Sequence, residues 1–182
     1  EAQSQYSFAV IATDAANNVS AAQSVTLDIN DLDEIAPTIT SGDTAATIDE
    51  NSGAGQVIYT ATADDSADIS DGVTFSLSGD SDGALTINAD TGEVTLTTDP
   101  DHEAQSQYSF AVIATDAANN VSAAQSVTLD INDLDDAAPT ITSGDTAATI
   151  DENSGAGQVI YTATADDSAD ISDGVTFSLS GD

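Results

Sequence analysis

The sequence predicts an all-β protein built of tandem seven-stranded Greek-key β-sandwiches of immunoglobulin-like type, and three observations predict it. Residues Glu1–Asp80 recur as Glu103–Asp182 with two differences, Glu34 against Asp136 and Ile35 against Ala137, so the chain repeats with a 102-residue period. A period of that length is one domain. Inside it, apolar and polar residues alternate in short runs separated by turn residues, and no run keeps a helical period for more than a turn.

The elements of one whole unit follow in order. Thr44–Ile48 reads as the first strand, and Val57, Tyr59, Ala61 and Ala63 mark the inward positions of the second. Val73, Phe75 and Leu77 give the third, Leu85 and Ile87 the fourth, and Val94 and Leu96 the fifth. Tyr108, Phe110, Val112 and Ala114 alternate along the sixth, and Val127, Leu129 and Ile131 along the seventh. Between them lie NSGAG, SDG and ADTGE, each with glycine where a turn can require positive φ. The chain has neither cysteine nor tryptophan, which excludes an antibody-type domain.

Pro37 and Pro139 follow acid-rich stretches and mark domain boundaries, since proline ends a strand and stiffens a linker. The expected division is a complete repeat at residues 36–136, the C-terminal part of a preceding one at 1–35, and the N-terminal part of a following one at 137–182. Neither partial repeat can bury both faces of a sandwich alone. Their completion is expected either from a longer continuous chain or from neighbouring copies.

Thirty-three acidic residues face no lysine or arginine and one histidine, for a formal net charge of −33. Such a chain cannot neutralise phosphates, which excludes nucleic acid and anionic membrane surfaces as partners. Its 40% hydrophobic content, regularly alternating, argues against disorder. No apolar run approaches the roughly 18 residues of a membrane span. A folded chain of this charge needs cations against it.

The acids cluster. IDEN carries Asp49 and Glu50; DPDHE carries Asp99, Asp101 and Glu103, with Glu1 as the upstream copy of the last; DINDLD carries Asp28, Asn30, Asp31 and Asp33, repeated from Asp130. ADDSAD carries Asp64, Asp65 and Asp68, repeated at Asp166, Asp167 and Asp170, and Asp116 closes the Tyr–Phe strand. Hard cations such as Ca²⁺ take six to eight oxygens from carboxylates and carbonyls. In an extended chain Asp130 and Asn132 point to one side and Asp133 to the other, so the linker can serve sites on both faces.

IDEN at Ile48–Asn51, DHE at Asp101–Glu103, YSFAVIATD at Tyr108–Asp116 and DIND at Asp130–Asp133 together resemble the cadherin repeat, in its bacterial cadherin-like form. The resemblance implies a cadherin-type sandwich with three Ca²⁺ at each junction. It implies ligands Glu50, Asp101, Glu103, Asp130, Asn132, Asp133 and, downstream, Asp166 at the second junction. At the first it implies Glu1, Asp28, Asn30, Asp31, Asp64 and Asp116. The sequence departs from the family pattern at Leu32 and Leu134, where a second Asn is expected, and in reading D-D-S-A-D for D-x-D, which leaves open whether Asp65 or Asp68 joins Asp64.

The implied role is a calcium-rigidified structural extender of a surface adhesin or adhesive filament, in cell adhesion or biofilm contact, extracellular on a bacterial surface or secreted. Its partners would be neighbouring identical repeats, homophilic or end to end. A carbohydrate-binding or homophilic recognition module is the alternative, with glycan as partner. No enzyme is expected: a catalytic site is needed once, a spacer many times. His102 has no nucleophile beside it, and Asn18-Val19-Ser20 and Asn120-Val121-Ser122 match a glycosylation acceptor that is common by chance.

Overall fold

The computed structural model describes residues 4–172 and 174–181, and no helix occurs among them. The strands are β1 (Gln5–Val10), β2 (Gln23–Asp28), β3 (Thr38–Ile39), β4 (Ile48–Asp49), β5 (Gln56–Thr60), β6 (Ala63–Asp64) and β7 (Val73–Leu77). They continue with β8 (Leu85–Ile87), β9 (Glu93–Leu96), β10 (Gln107–Asp116), β11 (Gln125–Asn132), β12 (Thr140–Ile141) and β13 (Ala165–Asp166). One sheet has the order β4-β11-β10-β7 and a second the order β5-β9-β8. All these pairings are antiparallel except β11 with β4, which run parallel.

The core lies between these two sheets. Tyr108, Phe110 and Val112 of β10 and Val127, Leu129 and Ile131 of β11 meet Ile58, Tyr59, Leu85, Val94 and Leu96 from the other sheet. The Tyr59 and Phe110 rings cross edge to face at 5.6 Å, joining the layers. Buried and less buried residues alternate along β10 and β11 because side chains alternate across a sheet, and the sequence supplies apolar residues at one parity. Gly92 turns the chain between β8 and β9 at φ +71°, and a Cβ there would stand 2.5 Å from the Ala61 carbonyl oxygen.

Several expected elements differ in detail. Of the first expected strand, Thr44–Ile48, only Ile48 joins a ladder, as the first residue of β4, with an isolated parallel bridge from Thr44 to Thr128 preceding it. A bulge between Val57 and Tyr59 breaks the alternation of β5, so Ile58 and Tyr59 are both buried and Val57 is exposed. The two-residue strands β3 and β6, which pair with each other, carry no periodic signal long enough to read.

The flanking segments repeat the sequence and not the burial. β1 pairs β2 in the same register as β10 pairs β11, Tyr6 opposite Leu27 as Tyr108 is opposite Leu129. Yet Phe8 is 55% exposed against 3% for Phe110, and Leu27 52% against 0% for Leu129. Hydrophobic burial is therefore set by what covers the hairpin, not by the hairpin's own sequence. Likewise β12 pairs β13 as β3 pairs β6, while Phe177 and Leu179 are exposed.

Candidate metal centres at the linkers

Strand parity carries acids to opposite poles of the central sandwich. Along β10 the inward series Tyr108, Phe110, Val112, Ala114 ends on Asp116, which is buried at 5% exposure. Along β11 the inward series Val127, Leu129, Ile131 is continued past the strand by Asp133. β10 and β11 are antiparallel, with Gln107 at the start of one opposite Asp130 near the end of the other. Asp116 therefore faces the linker before the sandwich and Asp133 the linker after it.

At the first linker Asp33, Asp65 and Asp116 converge, with one carboxylate oxygen of each within 4.8 Å of the others. Asp33 Oδ2 and Asp65 Oδ2 are buried and have no hydrogen-bond partner. Asp116 is fixed by Asn120, whose backbone N–H donates to Oδ1 at 2.8 Å and whose Nδ2 donates to Oδ2 at 2.9 Å. The same Nδ2 reaches the Asp33 carbonyl oxygen at 3.1 Å, tying the linker to the sandwich. Burial raises the Asp33 carboxyl above the ordinary aspartate range, as do the charges of Asp116, Asp71 and Asp68. Asp65 is raised by burial and by Asp33, Asp116 and Asp71.

Orphaned buried carboxylate oxygens are costly in a folded protein, and here no lysine or arginine exists to compensate them. Three converging oxygens without nitrogen or sulfur suit a hard cation of the calcium class. The residues of this centre fit such an ion.

The second linker is organised around Glu50, which is 1% exposed. Its Oε1 accepts from the Leu134 N–H at 2.7 Å and its Oε2 from the His102 N–H at 2.9 Å. These two bonds hold its carboxyl below the ordinary range against the opposing effect of burial. Glu50, Asp101 and Glu103 share one cluster, and His102, Glu103 and Asp133 a second. A hydrogen bond from its own backbone lowers Glu103, but burial, Glu50 and Asp170 outweigh it and the carboxyl is raised. Burial raises Asp133, His102 opposes, and Asp170 and Glu50 add to the rise.

Asp136 joins the two sides of this linker. Asn51 Nδ2 donates to its Oδ2 at 2.7 Å, and its own N–H donates to Asp170 Oδ2 at 2.8 Å. That bond is the leading reason the Asp170 carboxyl lies below the ordinary range.

Of the residues singled out in the sequence, the structure brings together Glu50, Asp101 and Glu103, and sets Asp133 beside Glu103 and Asp116 beside the first linker. Glu1 lies outside the described residues. Asp28, Asp31, Asp64, Asp130 and Asp166 belong to none of the close acidic groups among the described residues. Asp130 accepts from Gln107 at 2.6 Å, and Asn132 donates to Asp49 at 2.9 Å, both on the outward parity of β11. Asp64 and Asp166 each accept from the N–H two residues on, in turns with Ser66 and Ser168, and the serine side chain first and that N–H second lower both carboxyls. Of the two acids left open beside Asp64, Asp65 is the one that meets Asp33 and Asp116, while Asp33, Asp136, Asp170 and His102 lie outside the expected ligand set.

Residues 44–132 match the family model of the cadherin domain. The chain is 32% identical over 122 residues to Cadherin-4 of Caenorhabditis elegans, covering 67% of this chain and 3% of that protein. It is 27% identical over 184 residues to Protocadherin Fat 4 of Mus musculus, covering 98% of this chain and 4% of the relative. The chain thus spans a few hundredths of the length of these relatives. The fold matches mouse Cadherin-23 EC22-24 with a TM-score of 0.62 at 24% identity, over 90% of this chain and 53% of that one. It matches human Protocadherin-24 EC1-2 with a TM-score of 0.59 at 22% identity, over 76% and 62%. Cadherin domains generally bind calcium and are adhesion modules, not enzymes. No helix among the described residues is long and apolar enough to cross a membrane.

Proposed function

We propose that this chain, whose residues 44–132 form a cadherin domain, is a calcium-rigidified extender segment of an extracellular adhesive array. The units would be one complete repeat at 36–136 with partial repeats at 1–35 and 137–182, each repeat adding ~35–45 Å of length. The observation that carries the reading is the first linker, where Asp33 Oδ2 and Asp65 Oδ2 are buried without partners beside Asp116. Bound Ca²⁺ would supply the positive charge that lets these carboxylates share one small volume.

The chain's own residues do the coupling. Asp33 belongs to the linker, while Asp65 and Asp116 belong to the sandwich that follows it, so holding the three together fixes linker to domain. Asn120 adds a neutral tie through the Asp33 carbonyl. Without a cation the like charges oppose that docking. Extracellular calcium modules bind at roughly 10⁻⁴–10⁻³ M, which suits a device that stiffens only after export.

Near-identical repeats and the complete absence of lysine and arginine support an array of the bacterial surface-adhesin type, in adhesion or biofilm contact, with neighbouring repeats as its partners. The test is small-angle scattering with and without chelator, paired with limited proteolysis. Trypsin has no lysine or arginine to cut after, so a protease specific for acidic residues is required. Chelation is expected to give a more flexible particle and faster cleavage in the linkers. An unchanged rod and an unchanged cleavage pattern would refute the calcium role.

A further inference from the structure

The second linker contains the chain's only nitrogen ligand, and it is aimed at two carboxylates. His102 Nδ1 lies 3.5 Å from Asp133 Oδ2 and 3.8 Å from Glu103 Oε1. We propose that His102, Glu103 and Asp133 form a site for a divalent transition cation of the zinc class, distinct in ligand chemistry from the all-oxygen centre at the first linker.

Geometry favours this. Ligands ~2.0–2.1 Å from a tetrahedral zinc stand ~3.4 Å apart, close to the two separations at His102. Oxygen-seeking calcium gains little from an imidazole, whereas zinc, nickel and copper favour it. The three side chains are 29%, 43% and 37% exposed, so water can complete the coordination shell.

The site is also pre-assembled from two segments. Buried Glu50 accepts the His102 N–H with one oxygen and the Leu134 N–H with the other, so it pins the 102–103 loop against the linker that carries Asp133. Asp101 closes the loop, its side chain accepting from the Ala104 N–H at 2.8 Å and its carbonyl from the Gln105 N–H at 2.9 Å. Ligand atoms held this way need little reorganisation to take up a metal.

Glu103 and Asp133 also border the Glu50 cluster read above as calcium-binding, so the two cations would compete for their oxygens; this competition rests on the calcium reading, and the site itself does not. Loading with a zinc-class ion would then alter the junction without a change in sequence.

The experiment uses the full chain free of any histidine tag, with Co²⁺ as the spectroscopic probe, Zn²⁺ as competitor, and His102→Ala and His102→Gln as variants. His102 is the only histidine, so its imidazole NMR signals report the site without ambiguity. The expected result is a visible Co²⁺ absorption band that Zn²⁺ displaces, with matching shifts of the imidazole signals. Both variants should weaken zinc binding by about 10- to 100-fold or more while keeping the wild-type thermal response to Ca²⁺, which shows that they fold. Equal zinc affinity in the variants, or no Co²⁺ band in the wild type, overturns the proposal. A Co²⁺ band in a chain with no calcium response upholds this site and overturns the calcium reading instead.

Discussion

Replacing Asp65 by Asn should remove most of the chain's response to calcium, and the neighbouring Asp64→Asn should not. Asp65 contributes a buried, unpartnered Oδ2 to the centre it shares with Asp33 and Asp116. Asp64, one residue away, spends its carboxylate on the Ser66 N–H at 3.0 Å and stands outside the close acidic groups. In the wild type, one ion bound at roughly 10⁻⁴–10⁻³ M adds about 1.4–2.7 kcal/mol of stability in about 10 mM calcium. For a domain of about 100 residues that raises Tm by about 6–15 °C. Asp65→Asn should lose most of this shift. In chelator, however, it should melt at or above the wild type, because it removes one of three like charges and its amide can donate to the orphaned Asp33 Oδ2. The assay is a thermal melt of both variants and wild type, each in chelator and in calcium. An Asp65→Asn protein with the full wild-type calcium shift, or an Asp64→Asn protein without it, would refute the assignment of the centre.

Three further outcomes follow from the same geometry. In chelator, the Asp33 and Asp65 carboxyls are raised, so the stability they contribute is complete below about pH 3.9 and is lost as pH climbs through their raised folded values. Wild type and Asp65→Asn should accordingly converge in acid and separate as pH rises through those raised values, with the wild type the less stable; urea titrations from acid to neutral pH check the sign. Leu129→Ala should cost about 2–5 kcal/mol and the sequence-identical Leu27→Ala within about 0.5 kcal/mol, because Leu129 is 0% exposed and Leu27 52%. Gly92→Ala should cost about 1–3 kcal/mol or more, with a clash at the Ala61 carbonyl added to the strain of φ +71°, whereas Gly53→Ala at φ +95° meets nothing within 4 Å and carries strain alone.

The parts of the fold that sequence makes legible are those where alternation runs longest. β10 and β11 hold strict parity over ten and eight residues, so their inward faces can be read directly from Tyr108 to Asp116 and from Val127 to Ile131. β3 and β6, at two residues each, are shorter than any period. β5 misleads, because its bulge changes parity at Ile58, and no local residue announces the slip. Among the acids, parity separates the linker residues. Asp133 is in phase with Ile131 and meets the second cluster, whereas Asp130 and Asn132 are out of phase and pair with Gln107 and Asp49 on the outer surface. Asp33 and Asp65 lie beyond any strand period. Their burial comes from the linker docking onto the following sandwich, a tertiary event that one repeat's pattern does not encode.

The near-exact repeat sets the two linkers side by side. The first linker displays what a junction receives from the domain after it, Asp65 and Asp116, together with linker Asp33. The second displays what it receives from the domain before it, Glu50, Asp101 and Glu103, together with linker Asp133. Translation by one period carries Asp33 to Asp135 and Asp65 to Asp167, on the same linker and in the same following segment that supply Asp133 and Asp170. Asp170 already acts on Glu50, Glu103 and Asp133, just as its counterpart Asp68 acts on Asp33. The two linkers thus gather acids from opposite sides, the first from the domain after it and the second from the domain before it. The two positions that differ between the repeats, Glu34/Asp136 and Ile35/Ala137, lie at the end of the linker. At the second linker the Asp136 carboxylate accepts from Asn51 while its backbone N–H donates to Asp170.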